Sequence, residues 1–184
     1  MKITTGLYKF KKIASSNLKY IRPTSSRVRE ALFNILNSRY DWKIDADKIH
    51  LLDGFAGTGI VTLEGLSRNL GKATVIENDN IAFLTLKRNL SAKQLKDKVT
   101  FINDDFFQVD FKHNSFDMVY LDPPYNTNFP NLAIEKILDE RALKKKSVVV
   151  CETYYRFKYD SVFEKFIYLS RVYGKSSITF FNFF

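Results

Sequence analysis

One tetrapeptide, Asp122-Pro123-Pro124-Tyr125, has residue types that could act on a planar amine. It directly follows residues 118–121, an apolar run that predicts a buried β-strand. The lone pair of a planar amine is delocalised, so its activation needs hydrogen-bond acceptors for the N–H groups and a flat surface beside the ring. The Asp122 carboxylate and the Pro123 carbonyl can be the acceptors, held ready because proline fixes φ, and the Tyr125 ring can be the surface. The motif therefore indicates amine methylation; an ordinary proline-rich turn is the alternative.

A glycine-rich segment, Asp53-Gly54-Phe55-Ala56-Gly57-Thr58-Gly59, follows the first predicted strand and precedes a helix. Glycines let the backbone turn tightly and let a ligand approach the peptide groups closely. In open α/β sheets, ligands bind beyond the carboxyl ends of the strands, where the strand order reverses. A nicotinamide-binding fingerprint would need a third glycine where Thr62 stands, so a nicotinamide dinucleotide is the weaker alternative.

Acidic residues follow the next two predicted strands. Glu77 stands twenty residues after Gly57, where a carboxylate can accept hydrogen bonds from both hydroxyls of a ribose. Either acid of the doublet Asp104-Asp105 could contact an adenine amine, and Phe106 could pack on the adenine ring. A helix cap or a turn could explain each feature alone. Their succession at strand ends predicts an adenosine ligand beside the amine-activating loop, as in an S-adenosylmethionine-dependent amino-methyltransferase.

Positive charge is concentrated at the start of the chain. Residues 1–29 contain eight basic residues and no acid, which is nearly all of the net charge of +9. Such a segment is typical of proteins that bind a phosphate backbone. The residues predicted to contact RNA are Lys2, Lys9, Lys11, Lys12, Arg22 and Arg27. A compositional bias or an organellar transit peptide are alternatives, but alternation around Gly6 favours a β-hairpin.

Beyond this segment, apolar strand patterns alternate with amphipathic helical patterns. The alternation predicts an α/β domain with a mostly parallel sheet covered on both faces. Predicted strands are 50–53, 73–77, 99–102, 116–121 and 147–151, then 166–172 and 176–183 as a closing antiparallel pair. Predicted helices begin near Thr24 or Ser25, Gly59, Asp79, Pro130 and Tyr155. We divide the chain into a basic hairpin, residues 1–22, and a catalytic domain, residues 23–184.

Composition argues against several other classes of protein. No apolar run among the 184 residues is long enough to cross a bilayer, and the start of the chain lacks the apolar core of a signal peptide. A single cysteine, Cys151, excludes an internal disulfide framework, and its predicted strand suggests a buried role. His50 and His113 are far apart and lack companion cysteines, so no metal site is predicted. We expect a cytoplasmic monomer that does not bind membranes.

Taken together, the motifs resemble one known family, the bacterial RsmD-type guanine-N2 methyltransferases of small-subunit ribosomal RNA. The resemblance covers nearly the whole chain. Its carriers are Arg22-Pro23-Thr24, Arg27-Val28-Arg29-Glu30-Ala31-Leu32-Phe33-Asn34, Leu52 to Gly59, Glu64-Gly65-Leu66-Ser67-Arg68, Ile76-Glu77 and Leu121 to Tyr125. The glycine and Asp-Pro-Pro-Tyr motifs occur in many amino-methyltransferases, whereas the Arg-Pro-Thr helix and the Glu-Gly-Leu-Ser-Arg run are more particular to this family.

The resemblance implies a Rossmann-like class I methyltransferase fold, with a seven-stranded sheet. It also implies methyl transfer from S-adenosylmethionine to the N2 amine of a guanine in 16S rRNA, within an assembling or assembled small subunit. S-adenosylhomocysteine would be the product. The implied cofactor contacts are Asp53, Gly57 and Gly59 to the methionine part, Glu77 to the ribose and Asp105 to the adenine, with Phe55 and Phe106 beside them. Two departures are a hairpin based on lysine, where relatives are expected to have arginine and glycine, and the Asp104-Asp105 doublet.

Several alternatives stay open. A DNA adenine-N6 or protein glutamine methyltransferase shares the loop, although those enzymes more often carry Asn where Asp122 stands. A non-catalytic RNA-binding assembly factor would keep the fold, and a nicotinamide oxidoreductase is more distant. Locally, Glu64 and Arg68 have the spacing of a helical ion pair. Arg27 could contact phosphate or pair with Glu30.

Overall fold

The computed structural model describes residues 1–14, 24–39, 45–95, 97–125 and 127–184. Within these ranges the chain forms five α-helices and seven β-strands. The helices are α1 (Ser26–Arg39), α2 (Ile60–Ser67), α3 (Asn80–Asn89), α4 (Phe129–Asp139) and α5 (Ser161–Glu164). The strands are β1 (His50–Asp53), β2 (Lys72–Ile76), β3 (Val99–Ile102), β4 (Phe116–Leu121), β5 (Leu143–Tyr154), β6 (Ile167–Tyr173) and β7 (Ser176–Phe181).

All seven strands belong to one sheet with the order β3-β2-β1-β4-β5-β7-β6. Strands β1 to β5 run parallel, and β7 lies antiparallel between β5 and β6. The predicted mostly parallel sheet with a C-terminal antiparallel pair is therefore confirmed. The strand order reverses between β1 and β4, which are neighbours: Leu52 pairs with Val119. In such sheets, this reversal is where a ligand crevice opens.

The two faces of the sheet are buried in separate hydrophobic clusters. Successive side chains of a strand point to opposite faces, so Leu51 packs with α1, α2 and α3, whereas Leu52 packs with α4. On β4, Met118 likewise belongs to the cluster with Leu51, and Val119 belongs to the cluster with Leu52. Cys151 is fully buried, as predicted. Because both faces are covered, the ends of the strands are the part of the sheet where polar groups can meet a ligand.

The predicted helix near Tyr155 is wrong, and β5 is longer than predicted. The backbone N–H of Tyr155 donates to the Lys175 carbonyl at 3.1 Å, which extends the pairing between the β5 and β7 ends. The helix α5 instead begins at Ser161. The residue before it, Asp160, donates its backbone N–H to the Asn131 side chain at 3.1 Å. At the other end of β5, the Lys144 ammonium lies 2.7 Å from the Asp117 carboxylate. This ion pair holds the start of β5 beside β4.

Residues 1–14 fold back on themselves without forming the two predicted strands. A single antiparallel bridge joins Lys2 to Lys12, and turns occupy the residues between. The backbone N–H of Leu7 donates to the Ser67 carbonyl at 2.8 Å, so it is used by the end of α2 rather than by a strand partner. Gly6 packs so closely here that an added Cβ would lie 1.8 Å from the Ser67 carbonyl oxygen. The hairpin detail stays unconfirmed, and residues 15–22 of the predicted hairpin segment lie outside the described ranges.

The predicted ion pair between Glu64 and Arg68 is present, within a larger buried cluster. Arg29 of α1 also bonds to the Glu64 carboxylate, at 3.2 Å. The backbone N–H of Thr4 donates to the same carboxylate at 2.8 Å. Glu64 of α2 thereby connects this helix to α1 and to residues 1–14, which we call the N-terminal loop. The start of α1 is capped as predicted, because the Ser25 hydroxyl accepts from the Val28 N–H at 3.2 Å.

Candidate active site

A cavity of about 410 Å³ opens at the carboxyl ends of β1, β2, β4 and β5, a size typical of small-molecule sites. It lies where the strand order reverses. The sequence-predicted residues in its wall are Asp53, Phe55, Gly57, Glu77, Asp122, Pro123, Pro124 and Tyr125. The structure thus places the glycine turn and the Asp-Pro-Pro-Tyr loop around one space.

The glycine turn requires residues without side chains at two positions. Gly57 and Gly59 have φ values of 54° and 76°, in the left-handed region that glycine enters without a steric penalty. At Gly59 an added Cβ would also lie 2.4 Å from Leu86, so this glycine allows α2 and α3 to pack closely. Among the described residues, Gly57 lines the cavity and Gly59 does not. The turn therefore presents the backbone of Gly57 to a ligand.

The Glu77 carboxylate closes the other side of this turn. One oxygen accepts from the Gly57 N–H at 2.7 Å, and the other accepts from the Asp79 N–H at 2.8 Å. Burial raises the pKa of Glu77 above its usual value, while these two backbone donors act in the opposite direction. Each carboxylate oxygen has a second lone pair, so Glu77 can still accept hydrogen bonds from hydroxyl groups in the cavity.

Asp53 is the most deeply buried acid of the cavity, with 1% of its surface exposed. Its carboxylate accepts a hydrogen bond from the Thr62 hydroxyl at 2.7 Å. Burial raises the pKa of Asp53 to about 7, and the charge of Glu77 contributes in the same direction, while the bond from Thr62 opposes both. Asp53 is therefore a buried acid poised to change its charge near neutral pH.

The Asp-Pro-Pro-Tyr loop begins directly after β4 and is held by the C-terminal pair of strands. The Tyr125 hydroxyl lies 3.0 Å from the Ser176 hydroxyl at the start of β7, and its ring centroid lies 6.2 Å from that of Tyr154. Asp122 is half-buried and Pro123 is buried. The loop is therefore held at the cavity by β4, which precedes it, and by β5 and β7, which Tyr125 contacts.

Nine further residues of the cavity wall were not predicted as site residues from the sequence, among them Thr24, Tyr120 and Glu152. The Tyr120 hydroxyl donates to the Glu152 carboxylate at 2.7 Å, and both side chains are almost fully buried. Tyr120 is hidden in an apolar run and has the sequence pattern of a core residue. The sequence did offer a sign that Glu152 belongs to the site: it directly follows the apolar run 148–151, just as Glu77 follows β2.

Besides Gly59, two predicted cofactor residues lie away from the cavity wall. Asp105 is exposed, and its carboxylate accepts from the Phe107 N–H at 2.9 Å, which caps a short 3-10 turn. Phe106 is buried and stacks on Phe55, with ring centroids 5.0 Å apart. Of this pair of rings, Phe55 is the one that faces the cavity. The predicted adenine contacts of Asp105 and Phe106 stay predictions.

The predicted RNA-binding residues that the structure describes lie on the surface. Lys2, Lys9, Lys12 and Arg27 are exposed, and Lys11 is half-buried. The Lys9 ammonium lies 4.9 Å from the centroid of the Phe10 ring, which is itself 69% exposed. Arg22 lies outside the described ranges, and the alternatives for Arg27 stay open.

The residues within the described ranges set two further limits. No group of three or more His, Cys, Asp or Glu side chains among them has the arrangement that a metal ion requires. Likewise, none of the helices in this part of the chain is long and apolar enough to cross a membrane.

The strand order, the glycine turn and the Asp-Pro-Pro-Tyr loop together define a class I methyltransferase. A solved structure of a putative methyltransferase from Escherichia coli superposes with a TM-score of 0.80 at 25% sequence identity, covering 98% of this chain and 96% of that one. An RNA methyltransferase from Salinibacter ruber, in complex with S-adenosyl-L-homocysteine, shares the fold with a TM-score of 0.64 at 18% identity, over 87% of this chain and 92% of that one.

The chain belongs to the family described as conserved hypothetical protein 95, whose model matches residues 1–182; this is the RsmD-type family that the sequence resemblance predicted. Ribosomal RNA small subunit methyltransferase D from Haemophilus influenzae is 34% identical over 157 residues, or 83% of this chain and 78% of the relative. Its counterpart from Escherichia coli is 29% identical over 153 residues, or 83% of this chain and 74% of the relative.

Proposed function

We propose that the protein transfers a methyl group from S-adenosylmethionine to the exocyclic N2 amine of a guanine in 16S ribosomal RNA. The observation that carries the proposal is the single cavity that joins Glu77 and the glycine turn to the Asp-Pro-Pro-Tyr loop. The names of the ribosomal RNA small subunit methyltransferases D from two bacteria support an rRNA substrate. The S-adenosyl-L-homocysteine complex of the Salinibacter ruber neighbour supports the choice of methyl donor.

The cavity residues fit an adenosine cofactor with a methionine tail. The remaining lone pairs of Glu77 suit the two ribose hydroxyls, and Phe55 offers an apolar surface supported by Phe106. The backbone at Gly57 is open to the methionine part, and the buried Asp53 carboxylate suits its ammonium group. When bound, S-adenosylmethionine supplies an electrophilic methyl group on a sulfonium. Asp105 is assigned to the adenine amine as part of the proposal.

The loop would hold the target amine by its two acceptors. The Asp122 carboxylate and the Pro123 carbonyl accept from the N–H groups, while Tyr125 stacks on a guanine that has left its own base stack. As the nitrogen gains the methyl group it loses one proton, which Asp122 accepts or passes to water. Alignment and acceptor groups provide the acceleration, because both are most effective when they are preorganised.

The N-terminal loop would hold the RNA outside the cavity. Its exposed lysines can neutralise phosphates, and the exposed Phe10 ring beside Lys9 can stack on an unpaired base. The loop is bonded to Ser67 at the end of α2, and α2 begins at the glycine turn. An RNA segment on this loop would therefore have a fixed position relative to the cavity.

The proposal is tested by mass mapping of methylated nucleotides. Purified protein and S-adenosylmethionine are incubated separately with naked 16S rRNA, assembled small subunits, duplex DNA and a glutamine-containing release factor. We expect one N2-methylguanine in the RNA of one of the first two. Methyl groups on adenine N6 or on glutamine would select the alternative methyltransferases, and cofactor binding without any methylation would indicate an assembly factor.

The pKa of Asp53 predicts a pH dependence of cofactor binding. Below about pH 7 Asp53 is protonated and cannot pair with the methionine ammonium, so the affinity should fall about tenfold for each pH unit below 7. Above about pH 7 the affinity should level off, because Asp53 is then charged and the amino-acid ammonium of the ligand still holds its proton. Isothermal titration of S-adenosylhomocysteine between pH 5.5 and 8.5 measures the profile. Asp53→Asn keeps an acceptor for Thr62 but cannot titrate, so its profile should be flat near pH 7. An unchanged profile would show that Asp53 is not the group that controls binding.

A further inference from the structure

Glu152 is a buried carboxylate in the cavity wall that the proposed mechanism does not use. It is 3% exposed and lies within β5, one residue past the last pairing of β5 with β4, and it faces the cavity. Within the described part of the chain it forms no ion pair, in contrast to Glu64, which is bonded to two arginines. A carboxylate kept out of water without a cationic partner is costly unless hydrogen-bond donors satisfy it. One oxygen of Glu152 has such a donor in Tyr120, and the cavity is where donors of a substrate can reach the carboxylate.

The sheet register places Glu152 directly beside the amine-binding loop. Leu121 of β4 pairs with Cys151 of β5. Strand β4 ends there, whereas β5 continues to Tyr154, so Glu152 stands beside Asp122, the first residue of the loop after β4. Adjacent strands lie about 4.8 Å apart, which is within the width of a nucleobase edge. The cavity therefore presents two carboxylates side by side, one on the loop and one on β5.

Two adjacent acceptors match only one of the nucleobase amines. The guanine N2 amine is flanked by the ring N1–H, so its edge offers donors at two neighbouring positions. In adenine the ring nitrogen beside N6 is an acceptor, and in cytosine the same is true of the nitrogen beside N4. The glutamine side-chain amine is likewise flanked by a carbonyl oxygen. A carboxylate facing any of these acceptors would be left buried, unpaired and repelled.

We infer that Glu152 selects guanine by accepting a hydrogen bond from N1–H while the Asp-Pro-Pro-Tyr loop holds the N2 amine. Tyr120 is a positioning residue, since its hydroxyl holds one Glu152 oxygen and leaves the other for the base. Burial raises the pKa of Tyr120 well above its usual value, and the charges of Glu152 and Asp122 add to the effect, so the hydroxyl stays a donor. This inference rests on the proposed guanine-N2 activity and assigns its base specificity to a residue outside the loop.

The test compares guanine with 2-aminopurine at the mapped target position of the RNA. Both carry the 2-amine, but 2-aminopurine has an acceptor at N1 where guanine has a donor. For the wild type, kcat/KM should favour guanine by about a hundredfold or more, because sites built around a substrate donor reject analogues that lack it. In Glu152→Gln the amide can rotate to offer its NH2, so the preference should fall by at least about tenfold. Tyr120→Phe should lower the same ratio by a smaller factor.

Glu140→Gln is the matched control, because it makes the same chemical change at a residue that bonds to the Phe111 N–H away from the cavity. It should leave the ratio unchanged. A general loss of structure would lower both rates together, whereas loss of selection changes their ratio. If Glu152→Gln methylates guanine with the wild-type preference, the inference is overturned and the proposed function stands. A wild-type ratio near one also overturns the inference, whether or not the variant folds, and a wild type that methylates no guanine overturns both.

Discussion

Replacing Asp122 by alanine is expected to lower kcat for RNA methylation by a factor of about 10² to 10⁴, the usual contribution of a positioned acid–base group. The affinity for S-adenosylhomocysteine should stay within about twofold of the wild type. The two quantities separate because Asp122 follows β4, whereas the proposed cofactor residues Glu77 and Gly57 belong to other strand ends and bond to each other at 2.7 Å. Single-turnover methylation of the RNA and isothermal titration of the cofactor product measure them.

A second substitution separates the two proposed roles of Asp122, which are to accept a hydrogen bond from the amine and to accept its proton. Asp122→Asn keeps an acceptor for the amine but cannot take its proton, so its rate should lie between those of the wild type and Asp122→Ala. The matched control is Asp139→Ala, at the exposed last residue of α4. If Asp122→Ala binds the cofactor normally and methylates RNA at the wild-type rate, the loop is not the amine-binding element.

Much of the cavity follows from the sequence because parallel strands end at one edge. Asp53, Glu77 and Asp122 each stand at the end of a strand that apolar runs predict within a residue, and β1, β3 and β4 have the predicted bounds. Because the strands are parallel, these acids must all lie at the edge of the sheet where the carboxyl ends of the strands meet. No pairing information is needed for that conclusion.

The residues that the sequence did not reveal depend on pairing across the sheet. Tyr120 and Glu152 are 32 residues apart and meet only because β4 and β5 pair in one particular register. In the same way, Leu7 of the N-terminal loop bonds to Ser67 rather than to a strand partner, and Tyr155 bonds to Lys175 rather than starting a helix. Local propensity cannot anticipate which distant backbone group will take a given N–H.

The exposed acid Asp105 illustrates a different limit. Its position after β3 predicts a ligand contact, but the same carboxylate can cap the turn that follows it, and it bonds to the Phe107 N–H. Both uses are compatible with one sequence pattern, since a short polar residue after a strand serves either as a cap or as a binding group. Only the direction of the side chain distinguishes them.

Replacing Glu64 by alanine should destabilise the protein by about 3–5 kcal/mol, the cost of breaking a buried ion pair by removing one partner. Glu64 is fully buried, and Arg29, which bonds to it, is 2% exposed. The substitution would leave the Arg29 charge buried beside an unpaired Thr4 N–H. Urea denaturation of the cofactor-free protein measures the free energy of unfolding. Glu135→Ala, at an exposed position of α4, should change it by less than about 0.5 kcal/mol.

The same substitution should also separate the N-terminal loop from the domain. Thr4 bonds to the Glu64 carboxylate through both its N–H and its hydroxyl, at 2.8 and 3.1 Å, and Arg29 donates to the Lys2 carbonyl at 2.9 Å. Without Glu64 the two Thr4 bonds lose their acceptor, and Arg29, which holds the Lys2 carbonyl, loses its carboxylate partner. Amide hydrogen exchange in residues 1–14 should therefore accelerate more than in β4. Glu64→Gln, which keeps acceptor and shape but not charge, should fall between the two proteins. Equal exchange in all three would mean that the bonds to Ser67 and Asn89 are enough to anchor the loop. The proposed RNA surface would then be independent of the buried ion cluster.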